Sequence, residues 1–400
     1  MKIRSVLKDL SALFVGAWFV FVGNGLILTS AGVMLKDMGI SDTVIGFISS
    51  SYFLGALFGI GVGYKFTIKF GFVRSYAIFT ALFAMAAILH DMSSSIIFWA
   101  ILRFLLGLSY YGLIMVVENW INVRTTDDIR SRVFTIYTAS FYIAFAVGVV
   151  ILGIKLQTSQ IFIVSVFCVL LGMIPLNLIQ IKPPNLEFES SNKVEKFNIF
   201  KLAPLGALAA FFAGILVNGF LAMAGVYVLG LPNADINDAS RFLFAAMIGA
   251  FLSQIFFGQL SDKLGRKYSI IISVLIGLAG GYFLMINSEN FIFHRISAGL
   301  LALGVFSLYA LALARANDMA NSKNETAKVG AAILFIYSIG SFLGPTIMGI
   351  SMEIFGVSGF IYVFFVCLVT LLIFALTQPV IPSKDRSEFI QTRPSQVVVD

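Results

Sequence analysis

The sequence predicts an all-α membrane protein with the twelve-helix architecture of two pseudo-symmetric six-helix halves, and three observations carry that prediction. The 400 residues are 59% hydrophobic and 12% charged, with a mean hydropathy of +0.96. A water-soluble globule of this length must show many polar side chains to solvent, so this much apolar surface requires lipid around it. Apolar runs of roughly 20 residues recur, the length that crosses a hydrocarbon layer at ~1.5 Å per helical residue. They are apolar all round, whereas the strands of a membrane barrel would alternate in polarity. The charges are also sorted. Lys36, Lys155 and Arg241 fall on one side of the predicted membrane, Arg103 and Arg295 fall inside spans, and the rest of the 27 lysines and arginines gather on the other side. Positive residues are retained in the cytoplasm, which puts both termini there. The net charge of +7 is therefore a topology signal, and nucleic acid is not an expected partner.

The predicted spans run in chain order. The first, 11–35, follows MKIRSVLKDL; this resembles a signal peptide, but the apolar run is too long and has an internal counterpart. Spans 44–64, 72–90, 95–118, 133–154 and 160–181 complete an N-terminal half, 1–181. Residues 182–203 open with two prolines and are polar and charged, as expected of a cytoplasmic linker. Spans 204–229, 241–261, 268–287, 291–314, 329–351 and 356–378 make the C-terminal half, 204–379, and 380–400 form a polar cytoplasmic tail.

The halves repeat residue by residue. Asn24-Gly25 recurs as Asn218-Gly219, Arg103 with Gly107 as Arg295 with Gly299, and Cys168 as Cys367, at offsets of 194, 192 and 199. The loop GQLSDKLGRK at 258–267 has a worn copy, YKFTIKFGFV at 64–73. Both cysteines lie in apolar spans, so neither a disulfide framework nor a metal site is expected.

At these residues the chain resembles the major facilitator superfamily. Gly258, Asp262, Gly265, Arg266 and Lys267 match that family's loop signature, and Arg103 with Gly107 is similar to its fourth-helix motif. The segment VVENWINVRTTDDIRSRV, 116–133, resembles the YcaD-type branch of bacterial members. The N-terminal loop departs from the pattern. Ile68 stands at the aspartate position, and Phe72 and Val73 replace the two basic residues, while Lys69, Gly71 and Arg74 survive. The span at 133–154 lacks the Gly-Pro pattern of the family's antiporters, whereas Gly344-Pro345 is present in the eleventh span. The resemblance implies a bacterial inner-membrane carrier, with the first, fourth, seventh and tenth helices lining the solute path.

Each candidate has two readings. Asp262, with Arg266 and Lys267, is expected to latch the cytoplasmic side shut by accepting hydrogen bonds at a helix end; the alternative is an ordinary basic loop. With Ile68 opposite, the N-terminal latch should be weaker or apolar. A guanidinium inside a span costs at least ~2.5–3.5 kcal/mol, so Arg103 and Arg295 either bind an anionic solute or reach headgroups and backbone carbonyls. Asn24 and Asn218 are either solute hydrogen-bonders or links between helices. Tyr110 and Tyr111, and Tyr309 fourteen residues beyond Arg295, offer a flat wall for an organic solute or plain packing. Glu118, placed at the cytoplasmic rim near Arg124, is either a gate ion pair or the carboxylate of proton coupling. The glycine rows Gly55, Gly59, Gly63 and Gly340, Gly344 are expected to form a smooth seam between the halves.

The expected function is secondary transport, by alternating access, of a small polar or amphipathic organic solute, with an anion preferred. The alternative is a transport-inactive sensor or partner subunit of the same fold. No nucleotide-binding G-x-x-x-x-G-K-[ST] occurs, and no catalytic cluster supports an enzyme. No cofactor is implied, proton or ion coupling stays open, and the chain is read as a monomer in the lipid bilayer.

Overall fold

In hydrocarbon every backbone N–H and C=O must be satisfied within the protein, and an apolar segment does this alone only as a helix. The computed structural model describes residues 3–178, 198–286, 290–320, 323–383 and 386. After a leading helical turn, Ile3–Asp9, come α1 (Ser11–Asp37), α2 (Asp42–Phe70), α3 (Phe72–Leu89), α4 (Ile96–Arg124), α5 (Asp127–Leu152) and α6 (Thr158–Leu171). Next are α7 (Pro204–Leu229), α8 (Ile236–Leu264), α9 (Arg266–Ile286), α10 (Phe291–Val305), α11 (Leu308–Asn317), α12 (Lys323–Phe355) and α13 (Gly359–Thr377). Among the described residues eleven stretches are long and apolar enough to cross a membrane. The last, Lys328–Thr377, contains most of α12 and all of α13, separated by a 3-10 turn at Gly356–Ser358.

The helices pack in one pattern twice. α1 lies on α5 and α6, α2 on α4, and α3 on α4 and α6; likewise α7 lies on α12 and α13, α8 on α10, and α9 on α10 and α13. Between the groups, α2 meets α12, α5 meets α8, and α1 meets α7. Outward faces such as Ile97, Ile101 and Leu105, one turn apart on α4, stay exposed and apolar, as a lipid-facing surface must.

The repeated loops share one backbone device. α2 ends at Gly71 (φ 79, ψ 170) and α8 at Gly265 (φ 89, ψ 163), a region that is essentially closed to residues with a Cβ. These turns define a basic face of the molecule; the opposite face carries residues 38–41 and 230–235.

Several expectations are revised. Most of the linker (182–197) and of the tail (384, 385 and 387–400) lies outside the described residues; residues 199–202 form a short helix. The tenth span is broken into α10 and α11 by a turn at Phe306–Ser307, so no single helical register carries Tyr309 onto the face of Arg295. The glycine rows do not form the seam. A Cβ at Gly55, Gly59 or Gly63 would meet the carbonyls of Phe104, Leu108 and Gly112 on α4, and one at Gly340 or Gly344 would meet those of Phe211 and Ile215 on α7. Rows four residues apart let two helices of the same half touch along their length, which is permanent packing.

Gly107 faces the Tyr52 carbonyl in this way, whereas Gly61 on α2 has open space around it. Gly107→Ala should destabilise the protein by about 1–3 kcal/mol, and Gly61→Ala should leave it unchanged or slightly more stable. Thermal unfolding of the purified protein in detergent would separate the two.

Candidate functional site

The predicted residues fall into three clusters. In the first, the Tyr52 hydroxyl on α2 donates to Asn24 Oδ1 on α1 at 2.7 Å. The guanidinium of Arg103, 1% exposed, lies 5.0 Å from the Tyr52 ring centre and donates through Nη1 to the Ile27 carbonyl at 3.2 Å. Its Nε and Nη2 have no hydrogen-bond acceptor among the described residues. Tyr111 packs edge-on to both Tyr52 and Tyr110. A cation over an aromatic face is stabilised by the ring quadrupole, but the Arg103 charge keeps unused donors.

The second cluster carries no charge. Asn218 Nδ2 on α7 donates to Tyr337 Oη and Ser341 Oγ on α12, each at 2.7 Å. Tyr309 on α11 packs 4.8 Å from Tyr337, ring centre to ring centre. Between the clusters Phe53, Ala56, Leu57, Ile60 and Tyr111 face Leu334, Tyr337, Ser338 and Ser341 across a cleft with room for about one water. Gln254 on α8 donates to Tyr142 Oη on α5 at 3.1 Å and to the Phe306 carbonyl at 3.0 Å, where the turn between α10 and α11 interrupts the helix.

Two residues sit differently from expectation. Glu118 is 2% exposed and not at the rim, because α4 continues to Arg124, and its carboxylate lies within electrostatic reach of Tyr309. Arg295 is not an uncompensated cation: Nη2 pairs with Asp238 Oδ1 at 3.0 Å, half-buried near the face opposite the loops. Asp238 lies in the first turn of α8, just outside the predicted 241–261, so the span boundaries do not reveal this partner.

The third cluster is the signature loop. Gly258 is half-buried in α8, and Asp262 is largely exposed. Arg266 is buried; Nη1 binds Ser261 Oγ at 2.8 Å and Asp262 Oδ1 at 2.9 Å, and Nε lies 3.2 Å from Asp318 Oδ2, whose side chain is 0% exposed. Asp262 thus holds its own loop's arginine, and the acid buried with Arg266 is Asp318, at the end of α11. Lys267 donates to the Leu376 and Gln378 carbonyls, Arg315 to that of Pro379, and Arg386 to that of Ile381, with its guanidinium over Gly265. In the first loop Phe72 occupies the place of Arg266, buried against Trp120 at 5.3 Å; Lys69 lies over Phe70, and Arg74 is exposed. The two loops thus keep one backbone turn and opposite chemistries.

On the opposite face Lys155 pairs with Asp235 at 2.9 Å and holds that carboxyl below the ordinary carboxylate range, so this exposed contact persists at neutral pH and is lost as pH falls through the lowered value. Among the described residues no group of His, Cys, Asp or Glu is placed to hold a metal.

Paired helical bundles that meet at an amide and at tyrosines, with a cation buried inside one of them, are an arrangement suited to a membrane carrier. The chain belongs to the Major Facilitator Superfamily, whose family profile matches residues 13–345 and 209–396, and it is accordingly an integral membrane protein of a secondary-transporter family. It is 26% identical over 315 residues to an MFS-type transporter of Enterobacter sp. (strain 638), covering 77% of this chain and 80% of the relative. It is 24% identical over 354 residues to the MFS-type transporter YcaD of Salmonella arizonae, covering 86% and 89%. Two solved structures share the fold. The nucleoside transporter NupG has a TM-score of 0.74 at 16% identity, with 92% of this chain and 97% of that one covered. A bacterial homologue of the lysosomal transporter Spinster, inward-facing and unoccupied, has a TM-score of 0.72 at 14% identity, covering 94% and 96%.

Asp318→Ala would leave Arg266 buried with half its counter-charge, and a loss of about 3 kcal/mol is expected. Adding Arg266→Phe, which copies the apolar arrangement at Phe72, should recover most of it. Unfolding midpoints of the single and double variants measure the difference.

Proposed function

We propose that this protein moves a small polar or amphipathic organic solute bearing an anionic group across the bacterial inner membrane by alternating access, as a monomer of twelve spans with both termini cytoplasmic. What supports the anion is Arg103. A buried guanidinium with two unused donors and no carboxylate partner among the described residues favours a ligand that brings the missing charge, and a carboxylate or phosphate would fit its planar fork. Asn24, Tyr110 and Tyr111 surround that end. Asn218 and Tyr309, joined by Tyr337 and Ser341, would bind the neutral part of the solute through hydroxyls, an amide and ring faces. Arg295, held by Asp238, serves the helix pairing more than the solute. Glu118 is the carboxylate for proton coupling, since it is buried beside Tyr309 at the solute path. Asp262, Gly258, Gly265, Arg266 and Lys267, with Lys69, Gly71 and Arg74 in the other half and Gly107 supporting α4, would time the movement of the halves.

Liposome uptake with a panel of organic acids and their amides tests the reading. Acids should compete for flux and amides should not, and Arg103→Lys should weaken uptake by about tenfold through loss of bidentate contact. Equal transport of acids and amides would sink the anion. A pH gradient should drive accumulation, and Glu118→Gln should abolish it; accumulation that persists in Glu118→Gln would remove Glu118 from coupling.

A further inference from the structure

At the face away from Gly71 and Gly265 the halves meet at the exposed rim through the Lys155–Asp235 pair and the Thr43 N–H on Glu353, and deeper in through hydroxyls against bare backbone. On α2, Gly46 and Ser50 stand one turn apart and straddle the Pro345–Thr346 peptide of α12. A Cβ at Gly46 would meet the Pro345 carbonyl. Ser50 Oγ shares a hydrogen bond with Thr346 Oγ1 at 2.7 Å and accepts the Thr346 backbone N–H at 3.2 Å. Pro345 lies inside α12 beside this contact; a proline there removes one helical hydrogen bond, to the Ser341 carbonyl one turn back, and so weakens the helix next to Thr346. Gly349, one turn on, lets the α12 backbone lie against Asp42 and Gly46.

The second contact has the same construction. Ser240 on α8 donates to the Val149 carbonyl on α5 at 2.8 Å, and a Cβ at Gly153 would meet the Ser240 hydroxyl. Ser240 lies 194 residues after Gly46, and Tyr337 lies 195 after Tyr142, so Val149 falls opposite Gly344; the second contact thus uses the corresponding pair of helices, with its serine at the repeat position of Gly46, one turn from that of Ser50. Both serines are buried.

From this geometry we infer that Ser50 and Ser240 form paired clasps that hold this face shut, and that each releases at little cost because it can exchange its cross-half partner for a carbonyl of its own helix. A helical serine bonds readily to the carbonyl four residues back, here those of Gly46 and Ile236. An ion pair at the same depth would have to leave a charge uncompensated on parting. A hydroxyl does not, so the clasp has two satisfied states, as a reversible gate requires. The inference rests on the alternating access general to the family; it does not depend on which solute is carried.

The test is a distance measurement on the full chain in lipid nanodiscs. Spin labels go at Met38→Cys and Pro232→Cys, both exposed and in different halves, with Cys168 and Cys367 replaced by alanine. Ser50→Ala and Ser240→Ala should each raise the population at longer separation by about 2- to 10-fold, the range that loss of one buried hydrogen bond gives. Ser50→Thr, which keeps the hydroxyl, should stay near the parent distribution. An unchanged distribution in both alanine variants would overturn the clasps, and so would equal opening by Ser50→Thr and Ser50→Ala. If Ser50→Ala does not fold, Ser240→Ala decides alone. No solute is present in this experiment, so its failure leaves the transport reading to the flux assay.

Discussion

Lipid supplies no hydrogen bonds, and every polar group in this protein is placed under that constraint. Amides, hydroxyls and guanidinia that enter the hydrocarbon must find partners inside the chain. They find them where helices meet: Asn24 with Tyr52, Asn218 with Tyr337 and Ser341, Gln254 with Tyr142 and the interrupted carbonyl of Phe306. Each pairing costs little to keep and names a helix contact. Glycines facing carbonyls bring helices together both within a half, as at Gly55 and Gly107, and between halves, as at Gly46 and Gly349; the contacts between halves add hydroxyls at Ser50 and Ser240, whose hydrogen bonds can be exchanged. Arg103 is a buried cation with two donors left without an acceptor among the described residues, and the solute reading is built on it for that reason.

The two signature loops show how one backbone plan carries different chemistry. Gly71 and Gly265 adopt nearly the same torsions, so the turn is inherited in both halves. In one, Phe72 fills the position with an aromatic contact to Trp120; in the other, Arg266 fills it with a buried ion pair to Asp318. Replacing an ion pair by apolar packing is energetically reasonable in a buried place. The halves therefore need not loosen at the same moment, because one loop is held by charge and the other by shape.

Much of the fold was legible in the sequence, because run length, the lysine and arginine bias and the repeat offsets each report directly on burial in lipid. The seventh helix falls at the predicted residues 204–229. Partners were less legible. Asp238 and Asp318 sit at helix ends, where an acid reads as a cap, and nothing in their spacing says that each lies against an arginine of another element. Tyr52 had no repeat mate to mark it. Tyr337 did, in Tyr142, and that offset could have found it. The glycine rows mark close-packing faces but not the neighbour that packs there, since spacing tells that a helix approaches and not which one. The break at Phe306–Ser307 carries no proline or glycine and was invisible for that reason.

The carbonyls at the end of α13 have a bearing on how the protein is made. Lys267 and Arg315 are fastened to Leu376, Gln378 and Pro379, and Arg386 folds back over Gly265, so the final turns close a loop synthesised more than a hundred residues earlier. Insertion into the membrane proceeds from the first helix onward, yet this corner of the second bundle is finished only after the ribosome has delivered the last of these residues. A nascent chain stalled short of them would present two unclamped cations on the face that carries the Gly71 and Gly265 turns, a feature by which a cell's proteases could tell an incomplete copy from a finished one.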